Sequence, residues 1–223
     1  MESKKEYKTT REIILFIVGF LFLLIAFILF HFDKILEIND QIKNDIYSEI
    51  YKENTSINNN ISVSINVDYI EDSNNDNNNN QDNQNLNYNY IGFLEIDKIN
   101  LKQGFLEIDS PYNQVNYNIE ILDISNFPDV INGNFIIAGH SGTSNVAFFK
   151  NLYKLNLDDI AKIYYKGKVY KYSIINIYNQ VKDGSIDIYR EKNKTTLTLI
   201  TCTKDDKNSQ TVYILELIGV ETY

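Results

Sequence analysis

Cys202 is the only cysteine in the chain, and it ends the run Thr195-Thr196-Leu197-Thr198-Leu199-Ile200-Thr201-Cys202. That run is β-branched or aliphatic up to its last residue and reads as a strand carrying a thiol to its tip. Only two histidines are present. His31 closes an apolar N-terminal segment, so His140 is the imidazole left to serve a thiol elsewhere. It follows Phe135-Ile136-Ile137-Ala138-Gly139, a second strand-like run, and precedes the polar Ser141-Gly142. A thiol is a weak nucleophile until ionised, and a nearby imidazolium favours the thiolate. The two residues lie far apart in sequence, so the fold must bring the two tips together. Each also has a plainer reading alone, the cysteine as a small buried hydrophobe and the histidine as a polar strand-end residue. An unpaired cysteine outside the cell favours chemistry, because the common extracellular use is a disulfide and no second cysteine exists.

Other chemistries fit less well. One cysteine and one available histidine cannot make the usual zinc site. Gly139-His140-Ser141-Gly142-Thr143 fails the Gly-x-Ser-x-Gly elbow at its last position, so Ser141, Thr143 and Ser144 read as a turn beside the site. Adjacent acids such as Asp205 and Asp206 in a loop are ordinarily solvated, and neither metal nor cofactor is expected. Asp123 and Asp129 are candidates to orient His140, although nothing in the sequence places them there. A net charge of -9 argues against a nucleic-acid surface.

The elements that must position the pair begin with an anchor. Ile13–Phe32 is apolar apart from His31 and about as long as the roughly 20 residues that cross a bilayer as a helix. Lys4, Lys5, Lys8 and Arg11 precede it, which predicts a cytoplasmic tail at 1–12, a membrane span at 13–32 and an extracytoplasmic remainder. The sequence after Phe32 has no small-residue cleavage site, so an uncleaved anchor is expected rather than a signal peptide. Residues 33–89 read as a stalk and linker. Ile35, Ile38, Ile42, Ile46 and Ile50 form one stripe of a helix, which could continue the anchor outward, pack on the domain or meet another copy. Ile61 to Tyr69 alternates as a strand does, and the Asn-rich Glu71–Asn89 is too polar to order itself.

Residues 90–223 read as the folded domain. Strands are expected at Tyr90–Ile96, Ile119–Leu122, Phe135–Ala138, Ile160–Tyr165, Val169–Ile177, Thr195–Thr201 and Thr211–Ile218, with one helix at Asn145–Leu155 and a short helical turn near Asn116–Asn118. Many short strands in a modest domain predict a mainly β closed barrel or sandwich.

Tyr90-Ile91-Gly92-Phe93-Leu94-Glu95-Ile96, then Ala138-Gly139-His140, then Thr198-Leu199-Ile200-Thr201-Cys202 with a final apolar strand after it, resemble the sortases, the membrane-anchored cysteine transpeptidases of mainly Gram-positive bacteria. The resemblance implies a closed eight-stranded β-barrel and recognition of a C-terminal sorting signal of the Leu-Pro-x-Thr-Gly type on surface proteins. It implies that Cys202 forms a thioacyl intermediate and that His140 serves as acid and base. The acyl group would pass to an amine of a cell-wall precursor or a pilin-like protein. Sortases carry an arginine on the strand after the cysteine, and Gln210 stands at that position here. As a neutral amide it can donate a hydrogen bond to an oxyanion but brings no charge. Arg190 is not a substitute, because the intervening strand, at about 3.3 Å per residue, puts it on the order of 20 Å from the thiol. Lys204 and Lys207 are nearer candidates. Thr201 and Ser141 are expected to shape the substrate side. The alternative is a sortase-like module that binds peptide without turning it over, and a weaker one is a hydrolase that passes the acyl group to water.

Overall fold

The computed structural model describes residues 2–57, 63–67 and 86–223. It divides into two units, Met1–Lys43 and Asn44–Tyr223. Helix α1 runs Glu2–Ile57 and contributes to both. In the first unit the apolar side chains from Ile13 to Ile28 are exposed along the helix. Among the described residues no helix is long and apolar enough to cross a membrane, so the expected span is not found there. The side chains at 29 and 31–41 lie outside the described set.

In the second unit the end of α1 packs on the β domain, and the isoleucine period does not mark the packed face. Ile46 and Ile50 are exposed, while Ser48 and Tyr51 are buried. Tyr51 joins Tyr90, Phe93 and Leu106 in a small apolar cluster, and its ring lies 5.5 Å from that of Phe93. Burying a side chain of this size stabilises by about 1.5–3 kcal/mol. Its hydroxyl donates to the Ile91 carbonyl at 2.6 Å and accepts the Lys166 N–H at 3.3 Å. The helix is therefore held by an aromatic residue with both a ring and a polar tip to place, and Asp45 adds an ion pair to Lys102 at 2.8 Å.

Ten strands follow. β1 (Val63–Val67) and β2 (Leu86–Tyr90) form a separate antiparallel pair, so the expected strand near Ile65 exists and the end of the expected linker is itself a strand. Residues 68–85 lie outside the described set. β3 (Gly92–Ile96), β4 (Leu101–Phe105), β5 (Glu120–Ile121), β6 (Asn134–Ala138), β7 (Ile160–Tyr165), β8 (Lys168–Val181), β9 (Thr196–Cys202) and β10 (Ser209–Thr222) form one eight-stranded sheet in the order β4-β3-β7-β8-β10-β9-β6-β5. The sheet curls around a core that includes Leu94, Phe105, Phe135, Ile137, Phe149, Leu197 and Leu199.

The barrel is nearly closed rather than closed. Its two edges, β4 and β5, share no ladder. Two asparagines close the seam with side chains instead. Asn118 donates to the Gly104 carbonyl of β4 at 2.9 Å and accepts from Gln103 at 2.7 Å. Asn113 exchanges two bonds with the backbone of Ile121 in β5, at 2.9 and 2.8 Å, as a strand neighbour would. These bonds satisfy edge groups that would otherwise lack partners. The turn around Asn116–Asn118 is a single one, closed by Asn118 N–H on the Gln114 carbonyl.

The helix expected at Asn145–Leu155 is not there. Backbone N–H groups of Ala147, Lys150, Leu152, Lys154 and Leu155 bond to carbonyls three residues back, giving successive tight turns and one short 3-10 helix at Leu152–Lys154. Phe149 is drawn out of any helical ladder because its N–H bonds to the His140 carbonyl at 2.9 Å. The apolar residues still point inward, with Phe149 and Leu152 fully buried.

Candidate active site

β6 and β9 run parallel, and their register pairs Phe135 with Leu197, Ile136 with Thr198 and Ala138 with Ile200. Side chains alternate across a strand, so odd positions face one side and even positions the other. Phe135, Ile137, Leu197 and Leu199 lie in the barrel core. Ile136 and Ile200 lie in a second cluster on the outer face with Val212 and Ile214 of β10. Two residues beyond Ile200 the same alternation brings Cys202 to that outer face, while His140 lies two residues past the end of β6. Cys202 thus ends β9 beside the tip of β6, the strand whose chain leads on to His140. On the other flank of β9, Gln210 of β10 pairs directly with Cys202. Residues paired across strands share a face. Thiol and amide thus share one face of two neighbouring strands.

The tips are stitched beyond the ladder. Gly139 N–H donates to the Ile200 carbonyl at 3.1 Å. The Thr201 hydroxyl, buried on the inner side, donates to the Gly139 carbonyl at 2.7 Å. The Ser141 hydroxyl donates to the Cys202 carbonyl at 2.8 Å. Gly139 itself has no room for a side chain, since a Cβ there would lie 2.9 Å from the Phe149 ring. Thr201 and Ser141, expected on the substrate side, have their hydroxyls committed to holding the two tips in register. Asn116 brings its side-chain oxygen to 3.5 Å from His140 Nε2. Asp129 does not meet the imidazole, being paired with Lys166 at 3.1 Å, and no bond joins Asp123 to it among the described residues.

Gln210 is also engaged. One amide N–H donates to the Ser185 carbonyl at 3.0 Å. Gln180 accepts the Asp187 N–H at 3.1 Å, and the Tyr178 hydroxyl donates to the Asp187 carbonyl at 2.7 Å while accepting Tyr189 N–H at 3.0 Å. Three side chains of the outer face therefore pin the loop between β8 and β9 over the site. Ile188 of that loop packs on the outer apolar cluster with Tyr178 and Leu122.

One cation reaches the thiol, and the sequence reading missed it. Lys182, the residue after β8, places Nζ 3.0 Å from Cys202 Sγ and 3.2 Å from the Lys207 carbonyl. Lys204 instead lies over the Tyr153 ring at 3.7 Å. Lys207 contributes its carbonyl. Arg190 is tied to the opposite end of β9. Among the described residues no cluster of His, Cys, Asp and Glu gathers to hold a metal ion.

A half-exposed thiol at a strand tip, with an ammonium bonded to it on the rim of a β-barrel, has parts that a cysteine acyl-transfer site uses. The sortase family model matches residues 94–216, more than half of the chain, and the chain belongs to the sortase family, which is made of cysteine transpeptidases. Among solved structures it is similar to a sortase D5 transpeptidase of Clostridium perfringens, with 28% identity, a TM-score of 0.50, and 59% of this chain and 80% of that one covered. It shares its fold with a lid mutant of sortase A from Corynebacterium diphtheriae, at 22% identity and TM-score 0.53 over 59% and 72% of the two chains. It also shares it with sortase C1 of Streptococcus agalactiae, at 24% and 0.52 over 58% and 68%. No curated protein matches the chain.

Proposed function

We propose that the chain is an active sortase-type transpeptidase with Cys202 as nucleophile and His140 as acid and base. The placement of Cys202 at the tip of β9, paired with Gln210 of β10 and beside the tip of β6 that leads on to His140, is the observation that carries this reading. Cys202 Sγ attacks the carbonyl carbon before the scissile bond of a sorting signal on a surface protein. A C–S bond forms and the carbonyl pair moves to oxygen. Collapse breaks the C–N bond, and His140 gives its proton to the departing amine, leaving a thioacyl enzyme. An incoming amine, from a cell-wall precursor or a pilin-like lysine, then attacks the thioester while His140 takes its proton, and Cys202 is released. Gln210 keeps one amide N–H beyond the bond to Ser185 and offers it to the oxyanion. Thr201 and Ser141 position the two tips.

The exposed apolar face of α1 from Ile13 to Phe30 supports a membrane anchor with the barrel outside the cytoplasm. Reporter fusions at the two ends of the full chain test that orientation.

Incubation with a sorting peptide carrying a thiol-reactive group, followed by intact mass, is expected to give one adduct on Cys202 that His140→Ala blocks. Adding an amine nucleophile to a cleavable peptide is expected to give the transfer product. Absence of an adduct across sorting peptides favours the peptide-binding module, and hydrolysis without transfer favours a protease.

A further inference from the structure

We propose that Lys182 supplies the positive charge of the site, in place of a charge on β10. The inference rests on Cys202 being the nucleophile, and it concerns a residue on a different strand from Gln210. Lys182 Nζ lies 3.0 Å from Sγ, closer to the reacting atom than any other cation placed by the structure. Its position is built rather than incidental. The Lys182 N–H donates to the Asn208 carbonyl at 2.8 Å, extending the β8–β10 pairing one residue past Val181. Its ammonium is held from behind by the Lys207 carbonyl.

Among the described residues neither neighbouring acid forms an ion pair with it, although the ammonium is near enough to help hold the Asp206 carboxyl below its usual range, after its hydrogen bonds with Ser209 and the Asn208 N–H. Asp183 accepts from the N–H and hydroxyl of Ser185, at 2.9 and 2.7 Å. Asp206 caps the next loop through the Asn208 N–H at 2.9 Å. Gln210 completes the device from the other side. Its amide fixes Ser185, three residues after Lys182, so the residue in the expected arginine position steadies the loop that carries the charge. An ammonium in this place stabilises the thiolate before attack and faces the oxyanion formed next to the same sulfur.

Because Cys202 is the only cysteine, alkylation of the full-length protein reports this one thiol. The probes are neutral iodoacetamide and anionic iodoacetate at neutral pH and low salt, read by intact mass. For an exposed, solvent-screened charge, Lys182→Met is expected to slow iodoacetamide by about three- to tenfold and to reduce the iodoacetate-to-iodoacetamide rate ratio as well. Lys182→Arg is expected to keep both, and Lys204→Met to change neither. Alkylation by both probes that is unchanged or faster in Lys182→Met overturns the proposal, since it would show a side chain that merely covers the thiol. No sorting peptide is involved. A Lys182-dependent thiol in a protein that makes no peptide adduct would therefore sink the transpeptidase reading and leave the charge assignment standing.

Discussion

The two ends of β9 are built from similar residues and do opposite work. At its start, the Thr196 and Thr198 hydroxyls both donate to the Asn134 side-chain oxygen at 2.9 Å. Arg190 caps that end through the Lys194 carbonyl at 3.0 Å and the Asn132 carbonyl at 3.2 Å, and Lys194 pairs with Glu216 at 2.8 Å. Thr196 and Thr198 are buried, so every polar group there has a designated partner. At its finish, the hydroxyls of Thr201 and Ser141 bond to backbone carbonyls and leave the reactive atom alone. The thiol there meets the Lys182 ammonium. One end spends its charges and amides on order. The other keeps them half exposed, where a substrate can compete for them.

Removing the thiol should separate the ends most sharply. Cys202→Ala is expected to abolish peptide adduct formation and transfer, and His140→Ala to slow transfer by about 10²- to 10⁴-fold. Both should keep the unfolding midpoint of the parent, measured by circular dichroism. The mirror experiment is Asn134→Ala. It strands the buried Thr198 hydroxyl, while that of Thr196 keeps the Gly133 carbonyl and Arg190, and is expected to cost about 1–3 kcal/mol in urea unfolding, while transfer per folded molecule stays unchanged. A large loss of transfer in folded Asn134→Ala would erase the division between the ends.

Gln210 should give a smaller effect. Gln210→Ala is expected to slow transfer by about tenfold, through a lost donor and a looser loop at Ser185. An unchanged rate would remove Gln210 from the site. Gln210→Arg, assayed alongside, shows whether a second charge on β10 adds to the first.

The smallest effect lies away from β9. The hydrogen bond from Lys162, at 2.7 Å, holds the Asp97 carboxyl below the usual carboxylate range. A depressed carboxyl contributes stability above its unfolded-state value of about 3.9 and loses it as pH falls through the lower folded value. Asp97→Asn is therefore expected to destabilise slightly at pH 7 and not at pH 2. Equal effects at both values would show that the ion pair contributes nothing.

The reactive pair was legible because its strands are continuous in type. Thr195 to Thr201 has no turn residue, and Ile136-Ile137-Ala138 is wholly apolar, so both tips could be located to within a residue. β4 was not expected, because Lys102, Gln103 and Gly104 carry no strand signal. They are held by pairing with β3 and by Asn118, contacts distant in sequence. Phe148, Phe149, Leu152 and Leu155 have a spacing that a helix and a chain of tight turns both satisfy, and the His140 carbonyl decided between them. The isoleucines of α1 repeat as a packing face does, yet the aromatic ring of Tyr51 takes the barrel contact. Lys182 was hidden for the same kind of reason. Val169–Ile177 was the expected strand, whereas β8 continues to Val181, and only that extension carries the lysine to the thiol. Local pattern located the two strand tips. Long-range pairing chose the charge beside them.

The alternation along β9 has a consequence for how such a chain can change in length. Core leucines and the nucleophile occupy opposite phases of one strand. A single-residue insertion or deletion between Leu199 and Cys202 would turn the thiol toward the barrel interior, and one before Leu197 would turn the leucines outward. A slip of the whole strand by one residue does both at once, so folding rejects slips that move the leucines together with the thiol, whereas an indel after Leu199 misplaces the thiol alone. Length variation can accumulate in the loop from Asp183 to Lys194, provided Gln180 and Gln210 still find carbonyls and N–H groups to hold.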